Sequence, residues 1–148
     1  MKVNELMNRS VSTCSPSDSL ARAAQLMWER DCGTIPVVDA EGRVLAMITD
    51  RDICMAAFWQ ERVLSQIPVT TAASRMVFSV HPEDRLEVAE EIMKKQRVRR
   101  LPVTDQGGHL LGLLSLSDIA RHTGRSSHQV PGDEVARTLS AIIQPNVS

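Results

Sequence analysis

Sliding the sequence along itself by 66 residues aligns residues 11–53 with residues 77–119 without a gap, and 13 of the 43 paired positions are identical. The identities fall throughout the window: Val11/Val77, Pro16/Pro82, Asp18/Asp84, Leu20/Leu86, Ala23/Ala89, Met27/Met93, Pro36/Pro102, Val37/Val103, Asp39/Asp105, Gly42/Gly108, Leu45/Leu111, Asp52/Asp118 and Ile53/Ile119. One unit is therefore written twice, and any fold proposed for the chain must suit both copies. In a chain of 148 residues each copy is too small to bury its apolar surface alone, so each needs a neighbour as cover.

Within a copy the pattern changes period in a fixed order. Residues 11–14 and 77–80 read as short extended segments, closed by Ser15-Pro16 and His81-Pro82, where proline stops a ladder. A helix follows, with Asp18 or Asp84 as the expected cap. Its apolar positions Leu20, Ala23, Ala24, Met27 and Leu86, Ala89, Ile92, Met93 recur at three- and four-residue spacing. Two strands come next, 34–38 with 44–48 and 101–104 with 110–114, joined by Asp39-Ala40-Glu41-Gly42 and Asp105-Gln106-Gly107-Gly108. A second helix starts at Thr49 or Ser115, each followed three residues on by an aspartate, in a relative of the capping box. The repeating unit is strand, helix, strand, strand, helix.

Ile67-Pro68 and the Thr/Ala/Ser stretch after it place the boundary near residues 65–72, giving repeats at 1–66 and 67–124. Residues 125–148 read as a polar linker and a short amphipathic helix carrying Val135, Leu139, Ile142 and Ile143 on one side.

Composition narrows the function. Hydrophobic residues are 43% and charged residues 24%, so a real core is expected, but aromatics are only 3%, which leaves few stacking platforms for single-stranded nucleic acid. Seventeen basic against 18 acidic residues give a net charge of −1 and no field to hold a polyanion. The longest apolar runs, such as residues 44–48, are far below the roughly 20 residues of a bilayer span. The first residues lack a signal-peptide stretch, so a cytoplasmic location is the expectation. Cys14, Cys32 and Cys54 form no Cys-x-x-Cys, and His81, His109, His122 and His128 no metal-ligand pair, so neither disulfide nor metal is expected. The sequence carries no Ser/His/Asp order or glycine-rich phosphate loop, and an enzyme is not expected.

Two segments carry a family likeness: Ile35-Pro36-Val37-Val38-Asp39 with Ile48-Thr49-Asp50-Arg51-Asp52-Ile53, and Leu101-Pro102-Val103-Thr104-Asp105 with Leu114-Ser115-Leu116-Ser117-Asp118-Ile119. With these motifs the chain resembles, over about residues 3–122, a tandem pair of cystathionine beta-synthase (CBS) domains of the stand-alone bacterial type, a Bateman module. The resemblance implies an α/β (α+β) fold of two β-α-β-β-α repeats about a pseudo-twofold axis, sheets packed together and helices outside. It also implies clefts for AMP, ADP, ATP, NAD(H) or S-adenosylmethionine, a regulatory role in trans on another protein, and a homodimer.

Carried residue by residue, the likeness assigns the ribose and phosphate grip to Thr49 with Asp52 and to Ser115 with Asp118. A carboxylate can accept from two ribose hydroxyls at once, although the same spacing also serves helix capping. Adenine contacts map to Cys14, Ile35 and Pro36 and to Val80, Leu101 and Pro102, residue types that core packing also accounts for. Arg51, Arg99 and Arg100 offer paired donors to phosphate, or form a solvated charged edge. Gly33-Thr34 stands where the second copy has Arg99-Arg100, so the two sites are not equivalent and the second suits a polyphosphate better. Phe58 and Trp59 read as a dimer contact, with intrachain core as the alternative. The alternative to a nucleotide sensor is a ligand-free scaffold with vestigial clefts.

Overall fold

The computed structural model describes residues 1–125 and 132–143. The first copy supplies α1 (Leu20–Arg30), β1 (Thr34–Val38), β2 (Val44–Thr49) and α2 (Asp50–Gln60). The second supplies α3 (Leu86–Gln96), β3 (Arg100–Thr104), β4 (Leu110–Ser115) and α4 (Leu116–Arg125), and α5 (Gly132–Ile143) follows. Each strand pair is its own antiparallel two-stranded sheet, so the chain is α+β. No described helix is long and apolar enough to cross a membrane.

Local chemistry explains most boundaries. Helix α1 begins at Ser19, whose hydroxyl accepts from the Arg22 amide, and ends at Asp31 in the left-handed region with φ of 50°. The expected caps Asp18 and Asp84 act one turn earlier instead. Their carboxylates accept from the amides of Ser15 and His81, both at 2.8 Å, closing the proline turns rather than the helices. These turns also cut the leading strands short: residues 11–14 and 77–80 contribute single parallel bridges, Cys14 to Val37 and Val80 to Val103. Between β1 and β2 the register runs Thr34↔Thr49, Ile35↔Ile48, Pro36↔Met47 and Val37↔Ala46, then slips before Val38↔Val44. Gly42 and Gly108 take φ of 86° and 84°, which the hairpin turns require and side chains resist.

The chain forms two compact units, and these do not follow chain order: one groups residues 10–77 with 107–110, the other residues 1–9 with 78–106 and those from 111 on. The first unit's core is built on Leu20, Ala23, Met27, Ile35, Val37, Ile48 and Ile53, closed by Ile67 and Val69 from the stretch after α2. The second is built on Leu86, Ala89, Met93, Leu101, Val103, Leu114 and Ile119, closed by Val3 and Met7 from the N-terminus.

The two closing arms are equivalent. The Ile67 carbonyl accepts from Leu20 as the Met1 carbonyl does from Leu86, and Ser74 pairs with Met47 as Asn8 does with Leu113. The internal repeat thus reaches back to residue 1, and each copy's lead segment closes the other copy's body. A fully buried Leu, Ile or Met contributes roughly 1.5–3 kcal/mol, so these arms matter to stability.

Helix α5 packs on α3 and α4 in the second unit. Its inward stripe is buried Thr138 and Ile142 with half-buried Val135, whereas Leu139 and Ile143 face solvent; the expected stripe is rotated. The expected polar linker falls mainly on residues 126–131, outside the described residues.

Candidate functional site

The strand-to-helix junction of each copy is held by reciprocal side-chain bonds. In the first, the Thr49 amide donates to Asp52 Oδ2 at 2.9 Å and the Asp52 amide to Thr49 Oγ1 at 3.1 Å. In the second, the Ser115 amide donates to Asp118 Oδ2 at 3.1 Å, and the Asp118 amide to Ser115 Oγ at 3.0 Å. The Thr/Ser-x-x-Asp pairs are therefore complete capping boxes, and both aspartates are only partly buried. A box uses one carboxylate oxygen and the acceptor side of the hydroxyl, leaving the second oxygen and, in Thr49, the hydroxyl proton.

The junctions differ in charge. A shared backbone bond joins the helix start to the residue before the hairpin: Asp50 N to Gly33 O at 3.0 Å, and Leu116 N to Arg99 O at 2.8 Å. In the first copy this sets an exposed carboxylate beside a glycine; a Cβ on Gly33 would lie 3.0 Å from Asp50 Oδ2. In the second it sets an exposed arginine beside a buried leucine, Leu116 being 5% exposed. Asp118 carries a further partner, since the Arg121 guanidinium donates to its Oδ1. Asp52 has no such cation, because Met55 occupies the matching position.

The other expected site residues sit as follows. Cys14, Ile35, Val80 and Leu101 are each 1% exposed, and Pro36 and Pro102 are buried with them. Their backbones meet: Cys14 N donates to Pro36 O at 2.9 Å and Val80 N to Pro102 O at 3.1 Å. Burial pushes the Cys14 thiol up to about 11, with nearby Asp18 adding to the shift, so it is no nucleophile. Arg51 and Arg99 are exposed and Arg100 is half-buried. In the first copy the amides of Asp50, Arg51 and Asp52 are all taken, by Gly33 O, Asp50 Oδ1 and Thr49 Oγ1. The first amides of α2 are thus already occupied, and any anion at this junction must be met by side chains.

Asp50 and Arg121 escaped the sequence reading. Asp50 could be found by asking what the hairpin register sets beside Gly33, and Arg121 by its three-residue spacing from Asp118 on a helix.

The sequence model of the CBS domain matches residues 3–58 and again residues 64–124. The chain belongs to the CBS domain family. The CBS domain-containing protein YhcV of Bacillus subtilis is 34% identical over 145 residues, covering 98% of this chain and 97% of its own. The CBS domain pair of protein MJ0100, solved in complex with 5-methylthioadenosine and S-adenosyl-L-methionine, superposes with a TM-score of 0.77 at 22% identity. It covers 84% of this chain and 97% of its own. CBSX2, solved in complex with AMP, gives a TM-score of 0.74 at 24% identity, over 84% and 96%. At those identities the two structures establish the shared fold.

Proposed function

We propose that this CBS pair is a regulatory module that binds an adenine-containing ligand and acts in trans on a partner protein. The observation that carries the reading is the aspartate pair, Asp52 and Asp118. Each closes a capping box with one carboxylate oxygen at a partly exposed junction, and in Asp52 the second oxygen has no protein partner among the described residues. A carboxylate so placed can accept from ribose hydroxyls. Proteins of the same fold were solved with adenosine compounds, MJ0100 with a methylthioadenosine and a sulfonium nucleoside and CBSX2 with AMP, which makes that class the first to test.

Charge decides which ligand goes where. Arg99 and Arg100 beside the second junction suit a di- or triphosphate, whereas at the first Asp50 offsets Arg51, which favours an uncharged or cationic nucleoside. Occupancy changes a partner's response only through the ligand's different affinity for two states of the module. No step of the reading needs bond making, so the module binds and does not catalyse.

A homodimer through the α1–α2 face is part of the reading. Trp28, Met55, Phe58 and Trp59 lie on those helices, with Trp28 89% and Trp59 72% exposed, and Phe58 and Trp59 form an edge-to-face pair 5.1 Å apart. Aromatics in such a patch are the usual anchors of an interface.

A thermal-shift titration of the purified protein with AMP, ADP, ATP, NAD(H) and S-adenosylmethionine tests the proposal. A ligand at a hundred times its Kd stabilises by about 2.7 kcal/mol. A saturable rise in Tm with at least one of them is expected; no rise with any of them turns the reading to a ligand-free scaffold.

A further inference from the structure

Helix α3 carries a carboxylic acid where a helix face should be apolar. Its buried residues are Leu86, Ala89, Glu90 and Met93, and Glu90 is 1% exposed, its Oε1 without a hydrogen-bond partner among the described residues. One turn on, the Lys94 ammonium bridges Glu91 of the same helix at 3.0 Å and Glu134 of α5 at 3.1 Å. Among the described residues, the charged groups acting on Glu90 are Glu134 from α5 and Lys94, Glu87 and Glu91 from its own helix, three acids against one base. From β3, which also packs on α3, the buried core residues are Leu101 and Val103.

The acid is not demanded by the repeat. At the matching positions α1 carries Ala24 and Trp28 instead of Glu90 and Lys94, and the first copy folds the same way. The Glu90–Lys94 pair occurs on the helix that α5 covers.

We infer that α5 is a pH-gated cover of the second unit, seated while Glu90 is protonated and released when Glu90 ionises. A neutral acid in the seat costs one unmet hydrogen bond. An ionised one is a third carboxylate, after Glu91 and Glu134, beside the single Lys94 ammonium, and lifting α5 lets water reach it.

Burial, and next the Glu134 charge, pushes the Glu90 acid from its ordinary 4.5 to about 7. The sign follows: an acid whose value is raised in the seated state weakens that state as pH climbs from about 4.5 to about 7, with no further loss above. Between about pH 5 and about pH 8 the seating equilibrium falls about 70-fold, if lifting restores the ordinary value.

Amide hydrogen exchange of residues 132–143 in the full chain tests this, comparing wild type with Glu90→Gln at each pH. Glutamine keeps shape and polarity and cannot ionise. The expected result is a ratio of protection factors, variant over wild type, that grows tens-fold from about pH 5 to about pH 8. A ratio that stays constant overturns the inference. Carbon-13 titration of the Glu90 carboxyl in wild type is an independent reading that needs no variant: a midpoint near 7 is expected, and an ordinary one overturns the inference.

Discussion

Replacing Asp52 by asparagine separates the two jobs that its carboxylate is given. Asparagine retains an acceptor oxygen for the Thr49 amide, now 2.9 Å from Oδ2, so the capping bond survives. What is lost to folding is a negative charge in the first turn of α2, worth about 0.3–1 kcal/mol. For a chain of this size that is a Tm lower by about 1–4 °C. What is lost to ligand binding is larger. A ribose hydroxyl donating to a charged oxygen contributes about 1.5–3 kcal/mol, so Asp52→Asn should weaken a ligand of the first junction about 10- to 150-fold. Asp118→Asn should do the same at the second and also break the ion pair with Arg121, itself 66% exposed and of small energetic weight. The assay is calorimetric titration of the double variant, with a denaturation curve to confirm that both copies remain folded. If affinity stays within about twofold of wild type while Tm falls as stated, the aspartates are caps alone and the ligand reading of these junctions fails.

Other expectations follow from exposure and charge. Arg99→Ala should weaken ADP about tenfold and leave adenosine unchanged in the same titration, because the side chain is exposed beside the second junction, where the proposal puts the phosphates; equal loss for both places the arginine elsewhere. The double change Phe58→Ala with Trp59→Ala should shift sedimentation from dimer to monomer with an unchanged circular dichroism spectrum, since both rings are exposed; a dimer that persists puts the interface on another face. Of the three thiols, Cys54 is exposed and should react first with an aromatic disulfide near pH 8. Cys14, buried and held near 11, should react only as fast as the protein opens; equal rates would contradict the packing of the first core.

The parts of this architecture that local chemistry decides were legible in the sequence. Thr49 with Asp52 and Ser115 with Asp118 announced the second helices because a capping box is a three-residue bargain between neighbours. Gly42 and Gly108 announced the hairpins because their backbone angles need glycine. Asp18 and Asp84 misled because an aspartate after Ser-Pro or His-Pro can close the turn or cap the helix, and Ser19 was available for the first helix. The exchanged arms were invisible. Val3 and Val69 do match at the 66-residue offset, but a 3-10 turn has no periodicity, and which body an arm closes is a long-range fact. Glu90 was missed for a related reason: a helix wheel marks Ile92 as inside and a glutamate as outside, while α5 covers the face that carries Glu90. At the junctions, the residue types were readable and the opposite charges beside them were not, because Asp50 and Gly33 become neighbours only through the hairpin register.

In the proposed function an adenine ligand rests on carboxylates that also cap the helices. Isothermal titration of ADP into the wild-type protein, repeated with the Asp52→Asn/Asp118→Asn variant, tests it most directly. Saturable binding by the wild type, lost or weakened more than about tenfold in a variant that remains folded, is the predicted result. Binding that is equal in both proteins would contradict it.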